Sequence, residues 1–254
     1  MYSKNVWEKY DNYDNIMAFN EGYKDFLSHC KTERLCVSKA KALAEAKGFK
    51  NIKDFKSLKT GDKVYAINKN KNIAVFVIGK EPIENGLRVL GAHIDSPRLD
   101  VKQNPLYEAN DFALLDTHYY GGIKKYQWVT IPLAIYGVVC KKDGSTINIA
   151  IGDNENDPVV GISDLLIHLS GEQLTKQASK VIEGEALDLT VGSIPLKDGE
   201  KDLVKANVLK LLKEKYDFEE EDFVSAELEI VPAGKARDYG LDRSMVAGYG
   251  HDDR

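Results

Sequence analysis

Cysteine is scarce in this chain and poorly placed for cross-linking. Cys30, Cys36 and Cys140 are the only three in 254 residues, an odd number with no Cys-x-x-Cys pair, so neither a disulfide framework nor a zinc finger fits. Reduced thiols in a reducing compartment are expected. Long apolar runs are missing as well. No stretch nears the roughly 20 residues that a membrane helix needs, and the polar, charged first residues offer no apolar core of a signal peptide. Basic residues do not cluster: 35 Lys and Arg stand against 40 Asp and Glu, a net charge of -5 spread along the sequence. That distribution argues against a nucleic-acid footprint with its concentrated positive face. Internal repeats and low-complexity segments are absent too. These absences leave the expectation of a cytoplasmic protein with neither membrane nor nucleic acid as partner.

What is present is an ordinary globular composition, 43% apolar and 30% charged, long enough for one large domain or two small ones. Residues 15–31 place Ile16, Phe19, Tyr23, Phe26 and Leu27 at helical spacing, a pattern that reads as core before it reads as a ligand site. Residues 34–47 are rich in alanine and end at Gly48, which suits a helix and its C-terminal cap. A third helix is predicted over residues 201–216, with Leu203, Val204, Val208, Leu211 and Leu212 on one face. Residues 64–67 and 73–78 read as a hairpin, 87–93 as a buried strand, and 99–102 and 112–116 as extended segments. Beyond Tyr107 the chain becomes β-rich, with strands expected over 129–140, 146–151 and 223–231 and a turn at 142–145. Ser163 is a candidate N-cap for a short helix over 164–169. Residues 174–191 show no clean period.

The most informative string is Gly91-Ala92-His93-Ile94-Asp95-Ser96-Pro97, directly after the apolar run Leu87-Arg88-Val89-Leu90. Ligands in α/β enzymes gather at the carboxyl ends of sheet strands, and residues at i and i+2 of a strand share one face. An imidazole beside a carboxylate suits a metal ligand and the group that orients it. Taken alone, His-x-Asp fits equally well a hydrogen-bonded pair at a strand–loop junction. The pair Asp252-Asp253 alone reads as a solvated acidic turn, with the two positions equal as ligand candidates. A lone histidine on an apolar segment, such as His168, reads as structural, as does His118, while His29 reads as a surface residue. Lys102 and Arg243 are conceivable partners for an acidic substrate, though structural ion pairs suit both better.

The longer strings change the weight. Gly91 to Pro97, taken with Val101-Lys102, closely resembles the signature of the aspartyl aminopeptidase family of di-zinc peptidases. So does Ala236-Arg237-Asp238-Tyr239-Gly240-Leu241-Asp242-Arg243-Ser244 followed by Gly250-His251-Asp252-Asp253-Arg254. Thr117-His118-Tyr119-Tyr120-Gly121-Gly122 and Leu165-Leu166-Ile167-His168-Leu169 fall between them in the family's order.

The resemblance implies an α/β fold: a zinc-peptidase-like mixed sheet with flanking helices, interrupted by a β-rich inserted oligomerisation domain. Residues 1–104 and 232–254 would belong to the catalytic domain and 105–231 to the inserted dimerisation domain. It implies His93 as a metal ligand, Asp95 as the catalytic carboxylate orienting it, and Asp252, rather than Asp253, as the carboxylate bridging two metals. His168 would reach into a neighbouring subunit and stabilise the oxyanion formed at the scissile carbonyl. The cofactor would be zinc, two ions per complete site, with cobalt or manganese as alternatives. The expected activity is hydrolysis of N-terminal acidic residues, Asp or Glu, from peptides by a metal-activated water, in a homo-oligomer. Two alternatives stay open: a broader-specificity di-metal aminopeptidase or amidohydrolase, and a non-catalytic assembly module. The second arises because the family's paired glutamates, a further aspartate and a final histidine match nothing in this sequence, which corresponds to about the N-terminal half of a family member.

Overall fold

A computed structural model describes residues 4–251, and the chain within it divides into two compact units, Met1–Asp95 with Lys235–Arg254, and Ser96–Gly234. The first unit opens with helix α1, Tyr13–His29, whose N-cap Asn12 accepts a hydrogen bond from the Asn15 amide through its side chain. Leu27 is fully buried, whereas Phe19, expected on the same face, is 80% exposed. Helix α2, Glu33–Ala46, starts at Thr32, whose hydroxyl accepts from the Leu35 amide. Gly48 stops it as expected. At φ 84° it takes the left-handed conformation, while its N–H bonds to the Glu45 carbonyl and the Phe49 N–H to that of Ala44, the paired closure that glycine favours just past a helix.

Three strands follow. β1, Lys50–Asn51, runs parallel to β2, Lys63–Asn68, which pairs antiparallel with β3, Asn72–Val77. The hairpin is the one that the sequence predicts, and its turn carries Lys69 and Asn70 at positive φ. After this small mixed sheet the expectation fails. Residues 86–97 form neither helix nor strand, and Leu87, Val89 and Leu90 are 64%, 77% and 103% exposed. The apolar run is that of a buried strand, but a strand exists only where a neighbour takes up its backbone hydrogen bonds, and no strand pairing is assigned to it among the described residues.

The second unit is built on one six-stranded antiparallel sheet. Its strands are β4 (Arg98–Ala109), β5 (Phe112–Tyr120), β6 (Leu133–Cys140), β7 (Thr146–Ile151), β8 (Leu189–Gly192) and β9 (Ala226–Pro232), in the order β7-β6-β9-β4-β5-β8. Leu99, Ala113, Leu133, Val139, Leu189, Ile230 and Val231 are buried on it. Helix α3, Leu203–Tyr216, lies between β8 and β9 in sequence and buries Val204 and Val208. Its N-cap Asp202 makes no side-chain cap; instead Glu108, from β4, accepts from the Val204 and Lys205 amides at 2.9 Å each. Gly137 in β6 is required by close approach, since a Cβ there would sit 1.9 Å from the Glu227 carbonyl oxygen.

The limits expected for an inserted domain, near Asn104 and Pro232, fall inside strands. Asn104 lies within β4 and Pro232 closes β9, and Leu99 and Asp100 already pair with Ile230 and Glu229, so this unit begins at Ser96. The strand expected over 223–231 starts only at Ala226, because Glu220–Ser225 is a 3-10 turn drawn together by Asp222. Residues 174–191 resolve into short 3-10 turns and β8. The chain then returns to the first unit through β10, Arg237–Tyr239, and β11, Met245–Ala247, an antiparallel ribbon. Among the described residues no helix is long and apolar enough to cross a membrane.

Candidate metal centre

His93 and Asp95 meet, although not as neighbours on a strand face. They lie in segment 86–97, which is neither helix nor strand. There His93 Nδ1 stands 3.0 Å from the Asp95 main-chain oxygen and 3.3 Å from its Oδ1. Both partners are acceptors, so Nδ1 carries the proton and Nε2 becomes the nitrogen that would ligate a metal. That is the arrangement in which a carboxylate or carbonyl fixes the tautomer and aim of a metal-binding imidazole. The His93 and Asp95 side chains are 62% and 39% exposed, open enough to admit an ion or substrate.

The second motif string forms the β10–β11 ribbon and its continuation. Asp242 Oδ1 accepts from the Ser244 amide at 3.2 Å and hydroxyl at 2.9 Å, which closes the turn and holds the Asp242 carboxyl below its usual range. Arg243 stands 3.9 Å from Asp238, and Asp238 takes Lys24 of α1 at 2.5 Å. Arg243 is therefore in a structural pairing. In the second unit Lys102 is likewise engaged, with Asp116 at 2.8 Å and Glu185 at 3.0 Å, and its hydrogen bonds to those carboxylates push its pKa up.

Past β11 the chain reaches Tyr249, Gly250 and His251. Tyr23 of α1 holds His251 at two points, 3.0 Å to Nδ1 and 2.5 Å to the carbonyl oxygen. Lys31, 2% exposed, stands 6.0 Å from the Tyr249 ring centroid. Sequence reasoning missed Tyr23 and Lys31. Their spacing marked only a helix face and its end, and no local signal links residue 23 to residue 251.

Asp252, the expected bridging ligand, lies outside the described residues. His168 belongs to the second unit. The helix expected over 164–169 is an extended stretch that ends in a 3-10 turn, Ile167–Leu169. Ser163 caps nothing there; Asp164 instead accepts from the Leu165 amide and from Gln173. Leu165, Leu166, Ile167 and Leu169 are all more than half exposed, so an apolar run has no core to fold it against. A zinc ion takes about four donors. His93 suits one of them by its donor chemistry, and no group of three or more His, Cys, Asp and Glu side chains gathers among the described residues.

The family model described as "Aminopeptidase I zinc metalloprotease (M18)" matches residues 26–254. A probable M18 family aminopeptidase 1 of Clostridium acetobutylicum is 62% identical over 99% of the chain and 56% of its own length. The crystal structure of aminopeptidase I from that organism superposes with a TM-score of 0.89 at 61% identity, over 100% of this chain and 57% of that one. The crystal structure of the M18 aminopeptidase of Thermotoga maritima superposes with a TM-score of 0.93 at 48% identity, over 100% of this chain and 55% of that one. The chain thus spans about half the length of the relatives it matches.

Proposed function

This chain belongs to the M18 family of zinc metallo-aminopeptidases, the aspartyl aminopeptidase family, and we propose that it contributes His93 and Asp252 to a zinc site that removes N-terminal acidic residues from peptides. The observation that carries this reading is the His93–Asp95 pair, whose Nδ1 contacts of 3.0 and 3.3 Å orient the imidazole as a ligand needs. Zinc, when bound, supplies the Lewis acidity that activates water and polarises the scissile carbonyl. Asp95 keeps the His93 ring in one tautomer and one direction. Asp252, next to the anchored His251, is the carboxylate that would bridge two ions.

The second unit, Ser96–Gly234, acts in this reading as an inserted oligomerisation domain, with His168 reaching towards a neighbouring subunit's site to stabilise the oxyanion. The exposed apolar side chains around it, Leu165, Leu166, Ile167 and Leu169, support a partner surface, and a second copy is the proposed cover. A cytoplasmic location agrees with the three free cysteines, two of them buried.

The test is made on the complete gene product. His93→Ala is expected to abolish turnover and lower bound zinc; turnover at the wild-type rate would refute the assignment. Rates on Asp-, Glu- and Leu-anilides decide between acidic and broader specificity. A second reading, a non-catalytic assembly module, draws on the absence of any three-donor group among the described residues. Less than one zinc per chain in a stable oligomer would favour it.

A further inference from the structure

We propose that Tyr23 is a positioning residue for the zinc site, acting through His251 on the backbone from which Asp252 follows; the inference rests on the reading of Asp252 as a ligand. A phenol has one proton, and the His251 carbonyl oxygen, 2.5 Å away, can only accept it. The phenol oxygen must then accept from His251 Nδ1, 3.0 Å away, so the imidazole is protonated on Nδ1. One hydroxyl thereby fixes the main chain of His251 and the tautomer of its ring together. Stacking adds little here, because the two rings are 5.7 Å apart and tilted by 55°.

The grip is part of a larger one. Tyr23, Lys24, Leu27 and Ser28 share one face of α1 by their spacing, and each meets the returning segment. Lys24 pairs with Asp238, Ser28 Oγ accepts from the Ala236 amide at 3.0 Å, and Leu27 Cδ1 lies 3.6 Å from where a Cβ on Gly248 would stand. The same Cβ would meet the Ala236 side chain at 2.8 Å, so Gly248 lets the segment lie close. Lys31 covers the Tyr249 ring at the end of this row. Helix α1 thus holds residues 236–251 by four side chains, the last contact being one residue before Asp252.

The experiment uses the complete gene product with Tyr23→Phe, which keeps the ring and deletes the hydroxyl. The expected result is a zinc affinity, by competition with a chromophoric chelator, weakened by about 10-fold or more, the usual size when a group that supports a ligand is removed. The turnover number should fall with KM unchanged, and the His251 Nδ1–H resonance should disappear from long-range 1H–15N spectra. His251→Gln, whose amide can still donate to the phenol, should restore most of the affinity that His251→Ala loses. Asp252→Asn tests the underlying reading separately. If it leaves zinc binding intact, Asp252 is not a ligand, whatever Tyr23 does. If Asp252→Asn loses zinc while Tyr23→Phe stays within twofold of wild type in affinity and turnover, the positioning role is overturned. Should Tyr23→Phe fail to fold, His251→Ala carries the test, and wild-type affinity in that variant overturns it equally.

Discussion

Replacing Asp95 by asparagine separates the two acceptors on His93. The carboxylate oxygen is 3.3 Å from Nδ1 and the main-chain oxygen of the same residue is 3.0 Å away. Asparagine keeps an acceptor of nearly the same shape, and the carbonyl contact is untouched, so the ring stays in its Nδ1–H tautomer. What is lost is the negative charge beside the imidazole, which favours a cation bound on its far nitrogen. The Asp95 side chain is 39% exposed, and solvent weakens such a charge effect. Loss of a supporting group costs roughly 10–100-fold in metal affinity; with the shorter contact retained, the lower end is expected, about 10-fold or 1.4 kcal/mol. Asp95→Ala should cost a little more, because water then competes for the open side of the ring. The assay is a zinc competition titration at neutral pH on both variants, alongside His93→Ala. A loss above about 1,000-fold in Asp95→Asn would refute the reasoning, since an effect of that size belongs to a metal ligand and not to its support. No loss in either variant would mean that the main-chain oxygen alone orients His93.

Two further outcomes concern the second unit. Glu108→Ala removes the only side-chain cap seen on α3 and leaves the Val204 and Lys205 amides without it, so urea denaturation should show a loss of about 1–2 kcal/mol, with Glu108→Gln recovering part of it; an unchanged midpoint in the alanine variant would contradict the capping role. Burial works to raise the Asp222 pKa, but the Lys141 ammonium at 2.6 Å and the Glu219 amide at 2.8 Å outweigh it and hold the carboxyl below the ordinary range. The folded-state pKa is depressed, so this contribution is complete above the unfolded value of about 3.9 and is lost as pH falls through the folded one; melting curves at pH 5 and pH 3 should converge for wild type and Asp222→Asn at the lower pH, and equal pH sensitivity in both proteins would sink the assignment.

The legible parts of this fold are those fixed by near neighbours. Gly48 ends α2 because a left-handed glycine acts within a turn of the helix. The hairpin of β2 and β3 follows from two apolar runs around a polar turn. The illegible parts depend on distant partners. Residues 87–90 carry a buried strand's apolar run but form no strand among the described residues, and 165–169 carry apolar residues that are more than half exposed and form no full helix. Periodicity reports the surface that a segment would bury, whereas pairing is decided elsewhere in the chain. The candidate site divides in the same way. His93 and Asp95 were visible two residues apart, while Tyr23 and His251 meet across 228 residues, beyond any local pattern.

That division bears on how the two proposed ligands are held. His93 is oriented by its own loop, through Asp95, in a segment whose Leu87, Val89 and Leu90 face solvent. Covering such side chains contributes roughly 1.5–3 kcal/mol each, more than the Asp95 charge contributes to the metal. Asp95 can therefore aim the ring, and covering that apolar run would add further order to the segment. The segment leading to Asp252 has the opposite economy, since α1 already anchors it by Tyr23, Lys24, Leu27 and Ser28. Hydrogen exchange should separate the two: amides of residues 245–250 are expected to be protected together with α1, and those of 87–90 to exchange quickly in the chain studied alone. Fast exchange across 245–250 would show that the α1 contacts do not hold the segment, and would remove the physical basis for Tyr23 as a positioning residue.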